Sequence, residues 1–155
     1  MYGGFSSGLG LLQIAPLDLQ QVEVIKGANS TLYGGGAIAG LVNLVTKKPS
    51  AQSERSMLFN ATSADGVDAS GFYSAKQGAL GTRVLTSYNR GDAYDAADNG
   101  FSAIPEFERW TFNPHLFFEN SNSEFSMGFN AVKEDRIGGD MDYIGGQRGN
   151  PAYFE

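Results

Sequence analysis

From Glu124 to Val132 the chain alternates without a break: Phe125, Met127, Phe129 and Ala131 fall on one side, and Ser126, Gly128 and Asn130 on the other. A period of two is the mark of a β-strand with unlike faces, because successive side chains leave a pleated strand in opposite directions. Arg109 to Phe118 repeats the pattern, with Trp110, Phe112, Leu116 and Phe118 opposed to Arg109, Thr111, Asn113 and His115. Only Phe117 and Pro114 interrupt it. Proline cannot donate to a ladder and central strands avoid it, so a local bulge would accommodate Pro114. Fainter alternation marks Arg55 to Ser63, Ala69 to Gln77 and Thr82 to Arg90, where small residues occupy both faces.

The connections separate by length. Gly78 to Gly81 and Asn120 to Ser123 are tight, whereas Gly91 to Glu108 is long and acidic, with Asp92, Asp95, Asp98, Glu106 and Glu108. Short turns at one end and long loops at the other are the layout of an outer-membrane barrel. In a soluble sandwich the apolar face would meet a second sheet; in a membrane barrel it meets lipid and the polar face lines the lumen. A soluble antiparallel β-sheet protein that binds a ligand is therefore the competing expectation.

Composition narrows the remaining classes. Glycine supplies 21 of 155 residues, aromatics 12% and charged residues 18%, a profile foreign to helical domains. No apolar run approaches the length of a spanning helix, since the best, Ala37 to Val45, is broken by Gly40 and Asn43. A formal charge of −6 gives no support to a nucleic-acid partner, which needs clustered Lys and Arg. The absence of cysteine excludes disulfides, zinc-thiolate sites and a thiol nucleophile. The first residues carry no basic region and no continuous apolar core, so they are not a secretory signal, and the chain is expected to be either cytoplasmic or a fragment.

Residues 1–49 differ in kind from the rest. Two β-type segments, Val22 to Ile25 and Leu41 to Thr46, flank a glycine-rich stretch with Gly34, Gly35, Gly36 and Gly40, and the unit closes at Lys47, Lys48 and Pro49 before a polar linker, Ser50 to Ser53. A phosphate-binding loop would need its glycines directly after a strand and a helix after them. Gly40 is succeeded instead by Leu41, Val42, Asn43, Leu44, Val45 and Thr46, a good strand and a poor helix, and no Gly-Lys-Ser/Thr occurs. The glycines are better explained by tight turns and close backbone approach.

In order, Val22 to Ile25, Lys26, Gly27, Ser30 or Thr31, Leu32, Tyr33, Gly34, Gly40, Val42 to Val45, Thr46, Lys47 and Pro49 closely resemble the end of the plug domain of TonB-dependent outer-membrane receptors. Gly100 to Asn120 and Glu134 to Gly146 look like early barrel strands and loops of the same family, in the branch associated with iron-complex and cobalamin uptake. The fold this resemblance implies is mainly β: the C-terminal part of a mixed α/β plug (1–49), a linker (50–53), then about five antiparallel strands of a transmembrane β-barrel (54–155). Such receptors close about 22 strands around a plugged lumen, so the chain would be an internal piece of one.

The resemblance also implies a function and its residues. The whole protein would import a scarce nutrient, an iron–siderophore complex or cobalamin, across the outer membrane of a Gram-negative bacterium. Energy would come from the TonB–ExbB–ExbD complex, through a segment outside this sequence. It would be no enzyme and would need no cofactor. Tyr2, Phe5, Ser6 and Ser7 would sit in an apical plug loop and offer stacking and hydrogen bonds to the ligand. Lys26 would help latch the plug to the barrel, and Gly27, Leu32, Tyr33, Gly34 and Gly40 would form the plug's turn motif. Asp92, Asp95 and Asp98 lack the order of a calcium loop and read as solvated acids. His115, the single histidine, reads as a lumen-lining side chain, and no placed Ser–His–Asp triad supports hydrolase chemistry.

Overall fold

The computed structural model describes residues 16–25, 41–63 and 65–147. A single 3-10 turn, Pro16–Asp18, leads into β1 (Leu19–Ile25), which pairs antiparallel with β2 (Leu41–Thr46) as a separate two-stranded ribbon. Next comes a meander, made of β3 (Glu54–Ala61), β4 (Val67–Gln77), β5 (Leu80–Gly91), β6 (Glu106–Glu119), β7 (Glu124–Gly128) and β8 (Ala131–Ile137), and a helical turn α1 (Met141–Ile144) comes last. Each strand from β3 to β7 pairs with the next, and β8 joins β7 on the same side of β6.

The turns obey the chemistry of their residues. β4 and β5 are joined by two residues, Gly78 and Ala79, with Gly78 at φ 59°, the left-handed backbone that a primed hairpin turn requires of glycine. The Asn120 side chain accepts the backbone N–H groups of Asn122 and Ser123 and closes the turn before β7. The long connection is shorter than the sequence suggested, because Glu106 and Glu108 already belong to β6. It is also ordered: Asp95 accepts the N–H groups of Ala97 and Gly100, Ser102 N–H donates to Gly139 C=O at 2.8 Å, and Met141 N–H to Gly100 C=O at 2.9 Å. Two loops on the same end are thereby tied together.

Pro114 is accommodated differently from expectation. The strand expected over Glu124 to Val132 is divided into β7 and β8, yet both halves keep one register with β6: His115 faces Gly128 and, three residues on, Phe112 faces Ala131. There is no bulge. Phe129 N–H donates to Pro114 C=O at 3.0 Å, and proline has no N–H for the return bond, so the ladder loses one rung and keeps its alignment. β7 and β8 are two halves of one strand, which makes five strand positions in the wall.

The two faces of this wall are inverted relative to a soluble sheet. The shielded face of β4 and β5 carries Ser70, Ser74, Arg83, Ser87 and Asn89 beside Phe72 and Leu85, all buried. On the other face Met57 is 80% exposed and Phe59 77%, with Tyr73, Trp110, Phe112, Leu116, Phe118, Phe125, Met127 and Phe129 also bare. A large contiguous apolar face is foreign to a soluble monomer and is what a lipid-facing barrel wall presents.

The edges of that apolar face give a second, independent sign. Cross-strand partners define rows perpendicular to the strands, such as Arg55, Tyr73, Val84 and Pro114. The outward apolar stretch does not keep to these rows. In β3 it begins at Met57 and still holds at Ala61, whereas in the last strand it begins at Phe125 and stops at Ala131, short of Lys133. The band therefore slips by about five residues over four strand-to-strand steps, which at about 3.3 Å per residue and about 4.8 Å per step is a slant of about 40°. Strands of membrane barrels tilt by about that much against the bilayer normal. At the upper edge Trp110 packs against Tyr88 with ring centres 4.4 Å apart and the rings tilted by 46°, while its Nε1–H donates to Glu108 at 3.0 Å, one end greasy and one end wet, as aromatics at a membrane interface do.

Candidate functional site

The polar face acquires its chemistry where the chain leaving β2 crosses it. Arg83, near the start of β5, is 4% exposed. Its Nη1 donates to the backbone C=O of Lys47 at 3.0 Å and its Nη2 lies 3.1 Å from His115 Nδ1, while the guanidinium rests over Phe117. A guanidinium only donates, so the ring accepts it through the single Nδ1 lone pair, and Asn113 Oδ1 stands 3.2 Å from the same nitrogen. Arg83 Nε has no hydrogen-bond partner among the described residues.

Asp18 faces the same region from the 3-10 turn and is 6% exposed. Its backbone C=O accepts Lys47 N–H at 2.7 Å, which extends the β1–β2 ribbon by one bond. Burial pushes the Asp18 carboxyl above the ordinary carboxylate range, and the nearby Arg83 guanidinium offsets part of that rise. Lys47 Nζ meets Glu54 at 2.5 Å and sits over the Phe72 ring; Lys48 meets Glu124 at 2.6 Å; Lys76 N–H donates to Ser50 C=O at 3.0 Å. Residues 47–50 are thus fastened to β3, β4, β5 and β7.

On this face Gly81, Gly91 and Gly128 have little room for a side chain, and a Cβ on Gly91 would lie 2.7 Å from the Phe107 ring. A Cβ on Gly81 would lie 3.1 Å from the Pro49 ring and 3.3 Å from Phe117, so glycine there admits the crossing chain. A Cβ on Gly128 would run into the His115 imidazole, which lies flat over the glycine. Further up the wall Asp68 accepts from Asn60 and Asn89, and Glu134 bridges Arg109 and Arg136. Among the described residues no group of three His, Cys, Asp or Glu could hold a metal ion.

His115 falls where its alternation puts it, on the polar face and half-buried. Tyr2, Phe5, Ser6, Ser7, Lys26, Gly27, Leu32, Tyr33, Gly34 and Gly40 lie outside the described residues. The contacts that fasten the crossing chain come from residues not singled out in the sequence: Asp18, Arg83, Glu54 and Glu124. A charged residue on the small-residue face of β5, in register with His115, was the available signal for Arg83.

Residues 1–41 match the family model of the TonB-dependent receptor plug domain. Among curated proteins, the ferripyoverdine receptor of Pseudomonas aeruginosa is 31% identical over 108 residues, which cover 70% of this chain and 12% of the receptor. That alignment is too long for the plug match alone and must run into the strands.

The chain belongs to the TonB-dependent receptors.

Its other relatives agree. The ferric aerobactin receptor of Klebsiella pneumoniae is 47% identical over 57 residues, 37% of this chain and 7% of that protein. The iron-regulated outer membrane virulence protein of Vibrio cholerae is 44% identical over 50 residues, 30% of the chain and 8% of the protein. No solved structure matches. This TonB-dependent receptor chain spans about a tenth of the curated relatives' length. Its setting is the outer membrane of a Gram-negative bacterium, and its family consists of transporters rather than enzymes.

Proposed function

We propose that the chain is the plug-to-wall portion of an active importer of a ferric siderophore, with the plug's end in residues 1–49, a linker in 50–53 and the first barrel strands in 54–155. The supporting observation is the inverted wall: the polar face receives the crossing chain at Arg83, Glu54 and Glu124, while Met57, Phe59 and Trp110 point the other way. Two relatives, the ferric aerobactin and ferripyoverdine receptors, are named for iron carriers, which favours a ferric siderophore over cobalamin. Energy enters from TonB–ExbB–ExbD and frees the plug.

The test is iron-limited growth of a strain dependent on the receptor that carries these residues, supplied in turn with ferric hydroxamate, ferric catecholate and mixed-ligand siderophores, with and without TonB. TonB-dependent growth on at least one supports the reading. Uptake of cobalamin alone would overturn the substrate. Within the same reading, Tyr2, Phe5, Ser6 and Ser7 contact the ligand, so replacing Tyr2 and Phe5 should weaken affinity. Lys26, close to the turn of Gly27, Leu32, Tyr33, Gly34 and Gly40, helps hold the plug; unchanged plug retention and transport in Lys26→Ala would remove that role.

A further inference from the structure

The outward face of β3–β5 is not evenly covered. Gly71 lies at its centre, between Ala69 and Tyr73 of β4 and across from Thr86, and a Cβ on it would meet only Thr86 Cγ2, at an ordinary 3.6 Å. Nothing in the packing demands glycine there, and glycine weakens a strand interior. Its effect is to leave a floor without side chains. Above it, Met57 and Phe59 on one side and Tyr88 and Trp110 on the other flank a shallow, open hollow of about 260 Å³. Below, Arg55, Tyr73 and Val84 frame another of about 450 Å³, and the two share Met57, Gly71 and Thr86, so they form one furrow running along the strands.

Arg55 closes the lower end. Its guanidinium sits 5.8 Å from the Tyr73 ring centre and makes no ion pair among the described residues. It is a cation without an ion-pair partner at the margin of the apolar band, at the end of the wall that carries the tight turn Gly78–Ala79, whereas the outward Arg90 and Lys133 at the other end pair with Asp92 and Asp135. From Arg55 to Phe59 the furrow is about 13 Å long at about 3.3 Å per residue, which at a slant of about 40° spans about 10 Å of depth, a third of the roughly 30 Å hydrocarbon core.

We propose that this furrow holds one acyl chain of an anionic glycerophospholipid whose phosphate is bound by Arg55. The proposal rests on the reading of these strands as outer-membrane wall. A planar guanidinium suits phosphate oxygens, and the low polarity around it strengthens the contact. Short turns mark the periplasmic end of such barrels, so the headgroup lies in the periplasmic leaflet, where glycerophospholipids reside, and lipid A is excluded as the occupant.

The experiment uses the receptor that carries these residues, extracted from outer membranes in mild detergent, delipidated, and offered phosphatidylglycerol or lipid A, with bound lipid counted by native mass spectrometry. One phosphatidylglycerol should be retained per barrel. Gly71→Leu, which fills the floor, and Arg55→Gln, which removes the phosphate partner, should each reduce retention at least about fivefold, a difference of about 1 kcal/mol. Arg55→Gln alters an exposed side chain and keeps the test informative if Gly71→Leu does not assemble. Equal retention in both variants, or preference for lipid A, overturns the proposal. Heat-modifiable migration of the same samples separates the two failures: a heat-modifiable barrel that retains no lipid refutes the furrow alone, and a chain that never becomes heat-modifiable refutes the wall and the furrow with it.

Discussion

Arg83 serves a backbone carbonyl of the crossing chain and a ring of the wall at once. Replacing it by Met keeps the volume and removes the donor to Lys47 C=O. In the full receptor Arg83→Met should loosen residues 47–50 by about 1–3 kcal/mol, the cost of a buried polar group left unpaired, seen as faster amide exchange of Ser50 and its neighbours. Gly128→Ala should cost about 1–3 kcal/mol in denaturant midpoint by forcing His115 off its seat, and His115→Ala in the same chain should recover most of it. A carboxyl whose native pKa is raised holds its proton better folded than unfolded, so its favourable contribution is complete below the ordinary carboxylate range and is lost as pH rises through the raised value. Urea resistance of the ribbon-to-wall contact should therefore fall between acid and neutral pH, and that fall should be smaller in Asp18→Asn.

Among the elements, β6 and its two-part partner show what periodicity can and cannot carry. The alternation of Phe125, Met127 and Phe129 located the strand and its faces correctly, since side-chain direction depends only on position parity. It could not say whether Pro114 would shift the register or merely omit a bond, because that is decided by the neighbouring strand's carbonyls and amides. The geometry omits the bond. Pro114→Thr restores an N–H opposite Phe129 and should join β7 to β8, with a gain of about 0.5–1.5 kcal/mol and slower amide exchange at Ala131; unchanged exchange would mean that the break has another cause.

Taken as a whole molecule, the wall ends on β3 at one side and on the β7–β8 strand at the other, and neither has an outer neighbour among the described residues. Unpaired edges and a bare apolar face favour association with other chains. The 155-residue chain alone in aqueous buffer is expected to be heterogeneous by light scattering and to become monodisperse only in detergent. A single cooperative melting transition of a monomer in water would contradict the membrane-wall reading.

The strands, their two faces, the family and the tight turns are all legible in the order of residues, because alternation, glycine placement and the motif from Val22 to Pro49 are local properties of the chain. Three things had to wait for the folded chain: which face is shielded, how Pro114 is tolerated and which side chains meet residues 47–50. Lys47 and Arg83 are far apart in sequence, as are Lys48 and Glu124, and their meeting depends on strand register and on the path of the chain across the wall. Register arises from pairing, which no single stretch of sequence contains.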